Sequence, residues 1–217
     1  MTAAIPGVPA QAALEATLRA IADPIGPHPL LLDDTPGDDQ PRPTAAAVLV
    51  PIVIGHGEPE VLLTVRHSAL RSHPGQISFP GGRVDPVDTD VASTALRETY
   101  EEVGIEPGDI RVLGSLAPYL TGTGYSVVPV LGLVPAGYPY RLADDEVAEI
   151  FHAPLSFLLD EQRWEVREYE YEGRRRPYFE IWFGRYRIWG ATAQMIVSLQ
   201  ERLSRRQAPW LSAQRGS

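Results

Sequence analysis

Residues 81–105 read GGRVDPVDTDVASTALRETYEEVGI. Thr89 to Val103 is predicted helical, with Gly104 as its stop. On that helix Glu98 and Glu102 stand at i and i+4, and Glu98 and Glu101 at i and i+3. All three carboxylates therefore share one face, where they repel one another by a few tenths of a kcal/mol per pair. Most clusters of this kind are solvated acidic faces. Here the face follows a Pro80-Gly81-Gly82 turn, which frees a backbone carbonyl to point at the same place. Hard oxygen donors in that arrangement suit Mg²⁺ or Mn²⁺.

Outward from this helix the chain alternates strands and helices. Ala45–Ile54 and Glu60–Arg66 read as strands, followed by a Gly-rich basic loop from His67 to Gly82. Ile110–Tyr119 and Ser126–Val134 read as two more. Asp144–Phe151 is a short acidic stretch leading into Pro154 and a helix to Leu159. Trp164–Tyr171 and Tyr178–Phe183 flank the Gly173-Arg174-Arg175-Arg176 turn as a hairpin, its arginines read as a solvated tip. Helices are predicted over Ala10–Ala22, with Leu14, Leu18 and Ile21 in register, and over Ala191–Arg205. Asp33–Pro43 is loop by composition. Mixed strands, helices and hairpins favour an α+β class over a purely parallel sheet. Trp182, Trp189 and the neighbouring tyrosines are assigned to the core, with stacking on a base left open for one of them.

Composition narrows the functional classes. The chain has 217 residues, 44% of them hydrophobic, enough for one core-bearing domain. It has no cysteine, so thiolate zinc sites, Cys nucleophiles and disulfides are excluded, and a reducing cytoplasm is the expected location. Against 28 acidic residues there are 19 basic ones, a net charge of −9, which argues against nonspecific nucleic-acid binding. Met1 to Pro9 carries no Lys or Arg, and no apolar run reaches the ~18 residues of a membrane span. No targeting segment and no membrane partner are expected.

The segment from Gly82 to Ile105 resembles the Nudix box of pyrophosphohydrolases, Gly-x5-Glu-x7-Arg-Glu-U-x-Glu-Glu-x-Gly-U, with U an aliphatic residue. Arg97, Glu98, Glu101, Glu102, Gly104 and Ile105 match it. Asp88 stands in place of the first Glu, the spacing from Gly82 to Arg97 is one residue longer, and Thr99 takes the first aliphatic place. The first two departures are similar to those of the coenzyme A pyrophosphatase branch. So are Leu62-Leu63-Thr64-x-Arg66, Arg71-x-His73-x-Gly75-Gln76, Phe79-Pro80-Gly81-Gly82 and Ile188-Trp189-Gly190-Ala191-Thr192-Ala193. His67 departs from the Ser usual after that first arginine.

The resemblance implies an α/β/α sandwich with a mixed central sheet flanked by helices. It covers Ala45 to Leu203, and the domain is placed at 45–205, with an N-terminal helix and linker at 1–44 and a frayed tail at 206–217. It also implies a metal-dependent hydrolase cleaving coenzyme A to 3′,5′-ADP and 4′-phosphopantetheine. Glu98, Glu102 and Glu101 would be the metal ligands, joined by a carbonyl of Gly81 or Gly82, with Mg²⁺ or Mn²⁺ bound. Arg97 would clamp Glu101. The general base would be Glu101 or one of Glu146 and Glu149. Arg66, Arg71, His73 and Gln76 would bind the substrate, including its 3′-phosphate. The competing readings are hydrolysis of another nucleoside diphosphate derivative, such as ADP-ribose or a dinucleotide, and a non-catalytic binding module. A homodimer is the family's expected assembly.

Overall fold

The structure, a computed structural model, describes residues 8–28, 42–55, 57–69, 73–171 and 173–205. Its first elements are α1 (Val8–Ile21), β1 (Thr44–Ile54), β2 (Glu60–Arg66), β3 (Ile77–Ser78), β4 (Gly81–Arg83) and α2 (Val91–Val103). Then come β5 (Arg111–Ser115), β6 (Tyr119–Leu120), β7 (Tyr125–Pro135), β8 (Val147–Pro154) and α3 (Leu155–Leu158). The last are β9 (Trp164–Tyr171), β10 (Arg174–Phe183), β11 (Tyr186–Trp189) and α4 (Ala191–Arg205).

Two sheets result. The larger runs β3-β2-β1-β7-β5, with β4 added to β1, β6 to β7 and β8 to β2. It is mixed because β1 and β7 run parallel while the other pairs are antiparallel. The smaller is the antiparallel set β11-β10-β9. The class is α+β, a mixed sheet between helices, as expected.

Side-chain alternation along the central strands divides the core in two. Ala47, Leu49, Leu62, Val128 and Val130 point to one face and are covered by Val91, Ala92, Ala95 and Val103 of α2. Val50, Ile52, Leu63 and Leu131 point to the other. There they meet Leu14 and Leu18 of α1, Leu199 and Leu203 of α4, and Ile181 and Ile188 of the small sheet. The N-terminal helix thus belongs to the main core. Among the described residues no helix is long and apolar enough to cross a membrane.

Several expectations are corrected. The acidic stretch before Pro154 contains β8, whose Val147, Phe151 and Ala153 are buried on alternate positions. The strand expected over Ile110–Tyr119 breaks after Ser115, and Tyr119–Leu120 pairs separately with β7. The Gly-rich loop contains β3 and β4, too short for a periodic signal. Trp182 is 46% exposed and Trp189 partly exposed, on the outer face of the small sheet. Most of the linker (29–41) and the tail (206–217) lie outside the described residues.

Candidate active site

Helix α2 starts sharply. Asp90 accepts from the Ser93 N–H at 2.7 Å while the Asp90 N–H donates to Ser93 Oγ at 3.0 Å, a reciprocal cap. It ends at Gly104, whose left-handed backbone (φ 72°) returns an N–H to Tyr100 O. That end also holds a later loop: Arg141 N–H donates to Val103 O and Ala143 N–H to Glu102 O, both at 3.0 Å. The loop is tied to β2 as well, because the His67 N–H donates to Glu146 O. Glu146 is thereby brought beside the helix.

The three predicted carboxylates are not equivalent. Glu102 is 4% exposed and accepts from the Gly81 N–H at 3.3 Å. Burial pushes its carboxyl up to about 8, the Gly81 N–H and Arg66 pull it down, and the charges of Glu98 and Glu146 add to the rise. Burial also raises Glu98, opposed by Arg97 and reinforced by Glu101 and Glu146. Glu101 is mostly exposed and paired with Arg97. Four acidic groups therefore feel one another across a small space.

Gly81 and Gly82 make that space. A Cβ on Gly82 would fall 2.4 Å from the Glu98 carboxylate, so the missing side chain is the room that carboxylate fills. At Gly81 (φ 153°) a Cβ would come within 2.5 Å of Ala47 O and Val48 Cα. Both glycines let β4 lie flat against β1 beneath the carboxylates.

Arg97 organises the rim. Its Nε and Nη2 bond the two oxygens of Asp88 at 3.1 and 2.9 Å, and Nη2 also reaches Arg83 O. Its Nη1 bonds Glu98 at 2.9 Å and Glu101 at 3.2 Å. Arg97 foremost, with the Asp85 N–H and Thr94 hydroxyl, holds the Asp88 carboxyl down to about 2. The extra residue before α2 is thus taken up in a loop whose shorter acid still grips Arg97. Thr99, in an aliphatic place of the box, is fully buried and satisfies its hydroxyl on Ala95 O at 2.6 Å.

The predicted substrate residues divide. Arg66 ends β2 near Glu102, and its buried Nε has no hydrogen-bond partner among the described residues. The Arg66 N–H donates to Gln76 O and its carbonyl accepts from the Gly75 N–H, so both halves of the basic loop form one wall. His73 (φ 56°) and Gln76 line an adjoining cavity of about 600 Å³. Arg71 lies outside the described residues.

Glu149 is not beside the carboxylates. It pairs with Val65 and turns to the small sheet, where its Oε1 accepts from Tyr186 Oη at 2.6 Å and from Arg185 at 2.5 Å. The Tyr186 hydroxyl, with Arg185, holds Glu149 below the usual carboxylate range. Sequence reasoning passes over Arg185 and Arg187, and takes Tyr186 only as a core tyrosine. Their signal is the tight Gly184-Arg185 turn joining two strands of alternating polar and aromatic residues.

Oxygen-only donors gathered around a buried, mutually repelling pair fit a hard divalent cation. Among the described residues no three His, Asp or Glu side chains already stand as a coordination shell. Arg97 Nη1 takes one oxygen of Glu98 and one of Glu101 and leaves the second Glu98 oxygen clear of the guanidinium.

The NUDIX domain family matches residues 43–173. The chain is 44% identical over 159 residues to an uncharacterized Nudix hydrolase, NudL, of Yersinia pestis, covering 73% of this chain and 79% of that one. The NudL of Yersinia pseudotuberculosis matches to the same extent. Among solved structures, a MutT/nudix family protein from Enterococcus faecalis is 18% identical, with a TM-score of 0.48 over 81% of this chain and 67% of that chain.

Proposed function

The chain belongs to the Nudix hydrolases, and from that premise we propose that it cleaves the diphosphate of coenzyme A to 3′,5′-ADP and 4′-phosphopantetheine. The observation that carries this reading is how the chain folds the blocks resembling the coenzyme A branch. Leu62 and Leu63 are buried in β2 and Thr64 bonds Ser78, while Arg66 is fastened to Gly75 and Gln76. Phe79 is buried before the Gly81-Gly82 floor. One continuous wall then carries Arg66, whose buried Nε has no hydrogen-bond partner among the described residues, next to the carboxylates.

Glu98 and Glu102 would hold a divalent cation, Mg²⁺ or Mn²⁺, with a Gly81 or Gly82 carbonyl and with Glu101 at the rim. The cation, when bound, supplies charge neutralisation at the diphosphate and a more acidic water. Arg66 takes a diphosphate oxygen in a charge-assisted hydrogen bond. Arg97 keeps Glu98 and Glu101 aligned. Glu146 takes the proton from the attacking water, since it shares the field of Glu98 and Glu102 whereas Glu149 faces the small sheet. Arg71 and His73 complete the grip on the 3′-phosphate.

Incubating the protein with coenzyme A and Mg²⁺ or Mn²⁺, then separating the products, tests the proposal. Adenosine 3′,5′-bisphosphate and phosphopantetheine are expected, with 3′-dephospho-coenzyme A cleaved roughly 10- to 100-fold less efficiently, the scale of one charge-assisted bond. Faster cleavage of ADP-ribose or a dinucleotide would overturn it.

A further inference from the structure

The cavity on the small-sheet side of β2 and β3 has His73 on its wall, and the rest of that wall has no part in the chemistry above. Its volume of about 600 Å³ is room for a nucleoside. Val65 lines it, while the next residue, Arg66, stands near Glu102. Cavity and carboxylates therefore lie on either side of one strand end, within reach of a single extended ligand.

Three features of the wall are left unused by the fold. Trp189 is a partly exposed ring whose position is fixed. The Arg187 guanidinium lies 5.0 Å from its centroid, and Tyr178 meets it edge-on at 5.8 Å. Arg187 is itself held by the buried Glu180 and by Tyr178 Oη. Gln76 has its backbone bonded on both sides, but its side-chain amide makes no hydrogen bond among the described residues. Glu149 spends Oε1 on Tyr186 and Arg185, whereas Oε2 has no partner among the described residues. The Tyr186 ring beneath it is stacked on Phe151 at 3.7 Å, so the carboxylate is anchored.

A flat ring, a free amide and a free acceptor oxygen make a recognisable set. The amide donates to one ring nitrogen and accepts from the neighbouring exocyclic amine, as glutamine does at N7 and N6 of adenine. A carboxylate oxygen takes a second amino hydrogen. A 6-oxopurine would set its carbonyl against the carboxylate instead, two acceptors facing each other.

We propose that this cavity seats the 6-aminopurine base of the substrate, stacked on Trp189 and read by Gln76 and Glu149. The substrate's identity as coenzyme A rests on the function proposed above, but the base preference does not. Glu149 is thereby a specificity residue.

The test is equilibrium binding without turnover. Adenosine 3′,5′-bisphosphate and inosine 3′,5′-bisphosphate are titrated calorimetrically into the full chain, and far-ultraviolet circular dichroism checks that each variant is folded. The wild type is expected to favour the adenosine compound roughly 10- to 100-fold. Trp189→Leu should weaken both about 10-fold or more, and Trp189→Phe should recover part of the loss. Glu149→Gln presents an N–H where the free oxygen stood, so the preference should collapse toward the inosine compound. Equal binding of the two by the wild type would overturn the proposal. So would a folded Glu149→Gln protein that keeps the adenosine preference, because Glu149 would then not read the base. If coenzyme A is not cleaved but the adenosine preference holds, the substrate assignment falls and the base site stands.

Discussion

Glu102 shows what one buried carboxylate costs a fold that keeps it for chemistry. Burial raises its carboxyl to about 8, far above the ~4.3 of a free glutamate. The folded state therefore holds a proton that the unfolded chain releases at a lower pH. For such a raised acid the stabilisation is complete below about 4.3 and is lost as pH rises through about 8. The metal-free protein should accordingly lose melting temperature between about pH 5 and 8.5. Glu102→Gln should flatten that decline and lower turnover at least about a hundredfold, the scale of removing one preorganised electrostatic group. Mg²⁺ or Mn²⁺ at pH 8 should raise the wild-type melting temperature by binding only the folded state. Thermal melts across pH, with and without metal, read all of this. An unchanged slope in the variant would acquit Glu102.

Helix α2 and the short strand β4 make one device, and the two glycines separate its structural from its chemical part. At Gly81 an added Cβ meets backbone, Ala47 O and Val48 Cα at 2.5 Å, and φ is 153°. At Gly82 it meets the end of the Glu98 side chain, which can swing away. Gly81→Ala should therefore lower the denaturation midpoint, whereas Gly82→Ala should stay near wild type in stability but lose the metal-induced rise in melting temperature. Equal losses of stability in both would mean that β4 tolerates neither. Much of this device is legible in the sequence, because spacings of three and four put Glu98, Glu101 and Glu102 on one helix and Gly104 ends it. The burial difference between Glu102 and Glu101 is not legible, since it depends on how β4 lies across the helix. Nor is the placing of Glu149. Glu146 and Glu149 are alike on paper, and only the pairing of β8 with β2 turns Glu149 toward Tyr186.

Across the whole molecule, the two faces of the central sheet do different work. The α2 face carries the carboxylates, and the opposite face carries the bulk of the hydrophobic core together with α1, α4 and the small sheet. Helical spacing of Leu14, Leu18 and Ile21 predicts α1 but not its partner, because the partner is α4, at the far end of the chain. Arg202 of α4 donates to Ile21 O at 2.8 Å and pairs with Asp23, which fastens the end of α1 to the last helix. Helix α1 thus packs into the main core through Leu14, Leu18 and Ile21. Leu18 is fully buried in this seam. Leu18→Ala should cost about 2–5 kcal/mol, the range for a buried leucine that leaves a cavity. The seam lies across the sheet from Glu98 and Glu102, so KM for the substrate and the metal-induced rise in melting temperature should hold at a temperature where the variant is folded. Urea unfolding gives the first quantity, and kinetics at 20 °C with a metal titration give the others. A Leu18→Ala protein of wild-type stability would show that α1 is dispensable packing, and a raised KM in a fully folded variant would show that the two faces of the sheet are coupled.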